Sequence, residues 1–336
     1  MAFKPGDKLN NGKYTIEREL GKGRFGVTYL AKDAKDQKWV IKTLSDDLLN
    51  QLSQPEIERL QDKFWQEALN LANCKHRHIV KIKEIFREGK LVCLVMEYIP
   101  GQDFAKLTTK IWSEAEILPY IRQIGEALQV VHENDLVHRD IKPDNIMIRS
   151  PQAPLNKGGE EAVLIDFGLA KGFDNPLTTV NSTTVDGFAP MELYDVNAER
   201  GAYTDVYSLA ATLYFLLTKE VPPSAEKRIR NKAKLVPPKQ INSQISDRVD
   251  EAIRKGMALA PEERPQTMQE WLNLLGLKSA KVKLPNLNTS EWLGAIAAIA
   301  TILGVIVAFL AWLKPNSPPT ENPPTPSPPA QVTPNK

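Results

Sequence analysis

Eight consecutive residues, His138-Arg139-Asp140-Ile141-Lys142-Pro143-Asp144-Asn145, run directly into the apolar stretch Ile146-Met147-Ile148, and they restrict the fold of this 336-residue chain more than any other segment. So dense a polar group cannot enter a core and must be held in a loop beside a strand that can. A second apolar run, Val163-Leu164-Ile165, delivers Asp166-Phe167-Gly168 in the same way. Acidic or amide oxygens therefore emerge beside two apolar strands. Asn145 and Asp166 are hard oxygen ligands that suit magnesium bridging triphosphate oxygens, with manganese as the alternative. Asp140 is left to accept or orient a hydroxyl proton, and Lys142, two residues on, to steady charge on a moving phosphoryl group.

Upstream, Gly21-Lys22-Gly23-Arg24-Phe25-Gly26 spells GxGxxG. Alone it is ambiguous, because dinucleotide folds and phosphate-covering hairpins share it. Val27-Thr28-Tyr29-Leu30-Ala31 follows, and such β-branched and aromatic residues favour a second strand over the helix that a dinucleotide site needs. The glycines then tip a hairpin whose bare amides can lie over phosphates. Trp39-Val40-Ile41-Lys42 reads as a further strand, with Val40 and Lys42 on one face, the first to floor a base and the second to reach phosphate. Phe64, Ala68 and Leu71 recur at helical spacing within Glu56 to Ala72, and Glu67 lies on that apolar side. A carboxylate there needs a partner, and Lys42 is the candidate.

Taken together, these motifs resemble the Hanks-type, eukaryotic-like serine/threonine protein kinases of bacteria. The resemblance covers residues 14–277 and implies an α+β, bilobal fold: a small β-rich N-lobe at about 14–98 and a larger helical C-lobe at about 99–277. It implies that Lys42 pairs with Glu67 and holds the α and β phosphates of ATP. Met96 becomes the gatekeeper, and the backbone of Glu97 and Ile99 the adenine hinge. Asp205 resembles the buried aspartate that braces the catalytic loop, Glu192 with Arg264 resembles the structural ion pair of the large lobe, and the Lys142 spelling is that of serine/threonine enzymes. The run Phe-Gly-Val-Thr-Tyr-Leu-Ala is similar to cyanobacterial members. Thr28 stands where the family usually has valine and Val40 where it usually has alanine, so the base pocket changes while the phosphate chemistry does not. Pro190-Met191-Glu192 replaces Ala-Pro-Glu, and Val185 falls where a substrate-facing threonine is common, unless Thr184 takes that role, which leaves substrate choice open. Residues 150–162 are longer than usual and rich in Gly and Pro, as a surface insertion would be.

The family reading is not the sole one the residues allow. A nucleotide-binding pseudokinase scaffold and a small-molecule phosphotransferase share the fold. A scaffold has no physical need for every phosphate and metal position, however, and small substrates need neither Lys142 nor a peptide-docking loop. Arg139 beside Asp140 invites a phosphate on the following loop, where Thr178, Thr179, Ser182, Thr183 and Thr184 are candidate autophosphorylation sites.

Composition bears on the rest of the chain. Lys and Arg number 43 against 41 Asp and Glu, a balance that argues against a nucleic-acid partner. Cys74 and Cys93 are too few for a disulfide framework and lack zinc spacing. After an N-terminal extension at 1–13 and the kinase-like region, residues 278–291 form a linker with Lys278, Lys281 and Lys283. Residues 292–313 then run without a charge for the length of a bilayer crossing, with Trp292 and Trp312 near the ends. One transmembrane helix is expected, with the basic side, and hence the kinase-like region, in the cytoplasm. Gly294 with Ala298, and Ala300 with Gly304 and Ala308, are spaced to let two such helices approach closely, which allows a homodimer without requiring one, since alanine and glycine are common in such helices. The tail at 314–336 is dense in proline and expected to be extended, outside the cytoplasm and without a core.

Overall fold

The computed structural model of the protein describes residues 3–23, 26–107, 111–149, 161–167, 187–195 and 197–277. The apolar run at 292–313, the tail and the candidate phosphorylation sites at 178–184 lie outside the described residues. Among the described residues no helix is long and apolar enough to cross a membrane.

The chain opens with β1 (Lys8–Leu9), β2 (Tyr14–Lys22), β3 (Gly26–Asp33) and β4 (Lys38–Leu44), passes α1 (Asp46–Leu49) and α2 (Gln54–Asn73), and returns with β5 (Ile82–Glu88) and β6 (Leu91–Glu97). Hydrogen bonds order the six strands β1-β2-β3-β4-β6-β5, every neighbouring pair antiparallel. Period-two alternation gives the sheet two apolar faces. Trp39 and Ile41 of β4 join Cys93 and Val95 of β6, with Tyr14 and Tyr29, in one cluster. Leu44, Val92, Leu94 and Met96 point the other way, into the cluster that takes the buried face of α2. That helix starts on a capping box in which the Glu56 carboxylate accepts from the Ser53 backbone N–H at 2.8 Å. It buries Leu60, Phe64, Ala68 and Leu71 at the spacing the sequence shows. Both cysteines are buried and free.

β7 (Gly101–Asp103) leads to α3 (Glu114–Glu133), after which β8 (Ile146–Arg149) and β9 (Glu161–Leu164) pair with β7 in a three-stranded sheet of order β7-β8-β9. Gly101 is required where β7 meets β8, since a Cβ there would lie 1.9 Å from the Ile148 carbonyl oxygen. α4 (Ala202–Thr218) is buried on nearly every side, which its almost unbroken apolar sequence anticipates. α5 (Ala225–Arg230), α6 (Pro238–Ile241), α7 (Asp247–Gly256) and α8 (Met268–Leu274) complete the helical lobe. The lobes are stitched where Leu164 donates to the His78 carbonyl at 2.8 Å and Val80 donates to Leu164 at 3.0 Å, linking the segment after α2 to β9.

The expected pair of Glu192 and Arg264 is present and deeply buried, at 4% and 3% exposure. Arg264 Nη1 donates to Glu192 Oε1 at 2.6 Å and Nη2 to Oε2 at 3.2 Å, a bidentate arrangement. Arg264 also donates to the carbonyls of Ala258 and Leu259. Removing one partner strands a buried charge. Glu192→Ala is expected to lose about 3–5 kcal/mol of unfolding free energy, measured by chemical denaturation.

Candidate active site

The polar octet is organised from below by Asp205, which sits in the first turn of α4 and is fully buried. Its Oδ2 accepts from the His138 backbone N–H at 2.8 Å and lies 2.8 Å from His132 Nε2, while Oδ1 accepts from the Arg139 backbone N–H at 3.0 Å. Burial alone would raise its pKa, but these donors and the His132 ring outweigh it, and the carboxyl is held below its ordinary range. The charged anchor fixes a backbone that would not otherwise persist: Arg139 has φ +67°, and Asp166, across the cleft, has φ +57°. His138 is buried, with its pKa lowered by burial, and its ring packs on Phe167 at a centroid distance of 4.3 Å. His138 Nε2 lies 3.2 Å from the Ile165 carbonyl oxygen. The loop before β8 is thereby tied to the end of β9.

Asp140 and Asn145 meet at the top of this loop. The Asn145 amide donates to the Asp140 backbone carbonyl at 2.7 Å and to Asp140 Oδ2 at 3.0 Å. Both of its N–H groups point back at Asp140, so the Asn145 side-chain oxygen is the atom left for other work. Lys142 Nζ stands 3.8 Å from Asp140 Oδ1. Ile165 donates to the Asn145 backbone carbonyl at 2.9 Å, which brings β9 and Asp166 alongside.

One expectation is corrected. Lys42 does not pair with Glu67; its ammonium bonds Asp166 Oδ1 and lies 3.5 Å from the Phe167 carbonyl oxygen. Glu67 faces Arg139 instead, with Oε1 3.5 Å from Nη1. Two carboxylates compete for one ammonium, and Asp166 takes it. The loop supplies a guanidinium for Glu67, so the more buried of the two anions is not left alone in low dielectric. The sequence argument counted one cation where the fold brings two. The Glu67 pair is incomplete even so: Oε2 is buried and has no hydrogen-bond partner among the described residues. Burial raises the Glu67 pKa to about 7, against the smaller lowering effect of Arg139 and Lys63.

The roof and back of the cleft come from the sheet. Gly23 donates to the Gly26 carbonyl at 2.9 Å and closes the turn between β2 and β3, while Gly21 and Gly23 are exposed. At Gly26 a Cβ would sit 2.8 Å from the Thr43 carbonyl oxygen and 3.4 Å from Lys42 Cε, so a side chain there would crowd the lysine. Arg24 and Phe25 lie outside the described residues. Register places Thr28 opposite Lys42 and Val40 opposite Met96. Thr28 and Val40 are half-buried, and Met96 and Ile99 are buried. The Glu97 side chain is locked, with Oε1 accepting from the Lys81 backbone N–H at 3.0 Å and Oε2 from Arg149 Nη2 at 3.3 Å. Arg149 and His132 are the residues that sequence reasoning missed. His132 carried a signal, a polar residue one turn after Leu128 on the buried stripe of α3; Arg149, ending an apolar strand, carried none.

Comparison with known proteins agrees with this geometry. The protein kinase domain model matches residues 14–274. The chain belongs to the protein kinase family. Curated kinases resemble it along most of that domain. PkaB of Streptomyces coelicolor is 32% identical over 62% of this chain and 49% of its own length, and serine/threonine-protein kinase C of Synechocystis is 32% identical over 64% and 41%. PknF of Mycobacterium tuberculosis is 28% identical over 88% of this chain and 66% of its own. The chain spans less than half the length of several of the curated relatives it matches. Among solved structures, the apo form of PpkA-294 superposes with a TM-score of 0.66 at 26% identity, covering 82% of this chain and 99% of that one. The PknI kinase domain of Mycobacterium tuberculosis shares the fold, with a TM-score of 0.61 at 21% identity, 83% of this kinase and 100% of PknI being covered.

Glu67 makes the stability of this kinase depend on pH. Its folded-state pKa lies above that of the unfolded chain, so the folded protein holds a proton that the unfolded one has released. The stabilising contribution is complete below about pH 4.5 and is lost as pH rises through about 7. Glu67→Gln removes the titrating group. Denaturation at a series of pH values is expected to show a smaller fall in stability between those limits for Glu67→Gln than for the wild type.

Proposed function

We propose that this chain transfers the γ-phosphoryl group of ATP to serine or threonine hydroxyls of cytoplasmic proteins, from a position anchored in a membrane. The observation that carries the reading is the convergence of Lys42, Asp140, Lys142, Asn145 and Asp166 on one cleft beneath a glycine hairpin. Family membership and the serine/threonine kinase relatives support it.

The residues fit a divalent cation. Asn145 keeps its side-chain oxygen while its amide is spent on Asp140, and Asp166 adds a carboxylate. One amide and one carboxylate are too few for a protein-only cage and are what a magnesium ion needs when phosphate oxygens and water complete its shell. When bound, the ion would neutralise charge on the β and γ phosphates, magnesium being preferred and manganese the alternative. With nucleotide and metal bound, Lys42 would be the residue to hold the α and β phosphates and to meet Glu67, and Asp166 would be the carboxylate to hold the metal. Glu67, held by burial near its protonation midpoint, gains the second cation that its unpartnered oxygen lacks. Met96 and the hinge at Glu97 and Ile99, with Thr28 and Val40, hold the base.

Asp140 accepts a hydrogen bond from the substrate hydroxyl and takes its proton as the bond from the substrate oxygen to the γ phosphorus forms and the bond to the ADP oxygen breaks. Lys142 supplies positive charge beside the transferring group. Arg139 serves a second purpose once a residue among Thr178, Thr179, Ser182, Thr183 and Thr184 is phosphorylated. The phosphate competes for its guanidinium and releases Glu67 to Lys42. The uncharged run at 292–313 anchors the kinase, with the basic linker on the cytoplasmic side, and the recurring small residues of the run allow a second copy to pair.

Asp140→Asn is expected to lower phosphoryl transfer by about 10²–10⁴-fold, as loss of a positioned base does, while the ATP dissociation constant changes little. Radiolabel transfer and equilibrium nucleotide binding check both halves; near-normal transfer by the variant would remove Asp140 from the role. Mass spectrometry of active protein is expected to find phosphate within residues 178–184, and an unmodified stretch in fully active enzyme would contradict the release of Glu67 described above.

A further inference from the structure

Outside the cleft, the strongest charge asymmetry of the chain runs beside α7. Residues 227–239 hold Lys227, Arg228, Arg230, Lys232, Lys234 and Lys239 without one Asp or Glu, in a chain whose formal charge is +2. The fold lays this segment along a single helix. Arg228 Nη1 donates to the Met257 carbonyl, just past the C-terminal end of α7, at 2.8 Å. Lys239 Nζ meets Asp247 Oδ1 in its first turn at 2.6 Å. Arg230 is engaged by Glu226 at 3.1 Å. Lys227, beside the first of these fixed ends, and Lys232 and Lys234, between the two, are exposed and have no ion-pair partner among the described residues. Two apolar side chains stand among them in the open, Ile229 at 48% and Val236 at 42% exposure.

The chain also leaves the domain at this helix. A Cβ on Gly276 would lie 2.7 Å from Arg248 Nη1, so the last described residues pass the first turn of α7, where Arg248 itself is exposed. From Leu277, fourteen linker residues lead to Trp292, where the uncharged run begins. Fully extended, they reach no further than about 50 Å.

We infer that the face formed by residues 227–239 and Arg248 docks on the anionic leaflet of the membrane that anchors the chain. The inference rests on the anchoring proposed above. Unpaired lysines are mobile point charges suited to the diffuse field of anionic headgroups, and Ile229 and Val236 enter the boundary between headgroups and acyl chains. An acidic protein motif is a poorer match, because it is best read by several arginine forks together: Arg228 is committed to the Met257 carbonyl, Arg230 faces Glu226, and Arg248 alone is left beside three lysines. The short tether keeps the face within reach of the bilayer, so weak individual attractions act at high effective concentration.

The full-length chain is placed in nanodiscs of phosphatidylcholine alone or with phosphatidylglycerol. Resistance to alkaline extraction reads anchoring separately, and amide hydrogen exchange reads docking. Slower exchange over residues 227–239 in the anionic discs than in the neutral ones is expected, with loss of that difference in Lys227→Glu/Lys232→Glu/Lys234→Glu. Sedimentation of full-length protein with anionic and with neutral vesicles gives a second comparison, in which the preference for the anionic ones is expected to fall about fivefold for each lysine neutralised, as in Lys227→Gln, Lys232→Gln or Lys234→Gln. An anchored chain with equal exchange in both lipids overturns docking and leaves anchoring intact. A chain that is extracted yet binds anionic vesicles overturns anchoring and supports the docking face. Binding to polyglutamate without binding to anionic vesicles assigns the face to an acidic protein and overturns the inference.

Discussion

A single buried carboxylate holds the catalytic loop in place. Asp205 has no access to water and survives as an anion because His132 and two backbone N–H groups of the loop are aimed at it. An unpaired charge at that depth would cost more than any local strain, so the loop accepts a left-handed arginine to satisfy it. The positions of Asp140, Lys142 and Asn145 follow, since all three lie within six residues of the backbone that Asp205 grips.

Above that anchor the site is a problem in sharing cations. Lys42 and Arg139 face Asp166 and Glu67, and the structure pairs each anion with one cation while leaving Glu67 short of a partner on one oxygen. The arrangement is complete enough to be stable and incomplete enough to change. The two carboxylates are not equivalent: loss of Arg139 would leave the buried Glu67 to its own desolvation cost, whereas Asp166 is partly exposed and can be solvated without Lys42. Glu67, with its pKa near neutrality, is the member most easily displaced.

Much of this was legible in the sequence because it is written in local patterns. The hairpin at Gly21 to Gly26, the strand that carries Lys42, the helix through Phe64, Ala68 and Leu71, and the strands that precede Asp166 and follow Asn145 all fall where period and turn chemistry place them, although the Lys42 strand runs two residues further, to Leu44. The pairing of Glu67 was misjudged, because which of two cations a carboxylate meets depends on how a helix sits over a loop seventy residues away. Arg149 gave no sign of itself for the same reason: its partner Glu97 lies in the hinge, 52 residues earlier in the chain, and a lone arginine ending an apolar strand reads as an exposed end. Long-range pairing of charges is the part of a site that spacing along the chain does not encode.

The central claim is that nucleotide and divalent cation are gripped together by the side chains gathered above Asp205. Calorimetric titration of the purified full-length protein with AMP-PNP, with and without magnesium, tests it directly. Tight uptake that depends on the metal, and loses that dependence when Asp166 is replaced by alanine, is the predicted result. Uptake of nucleotide indifferent to magnesium in the unaltered protein, or no uptake at all, would contradict it.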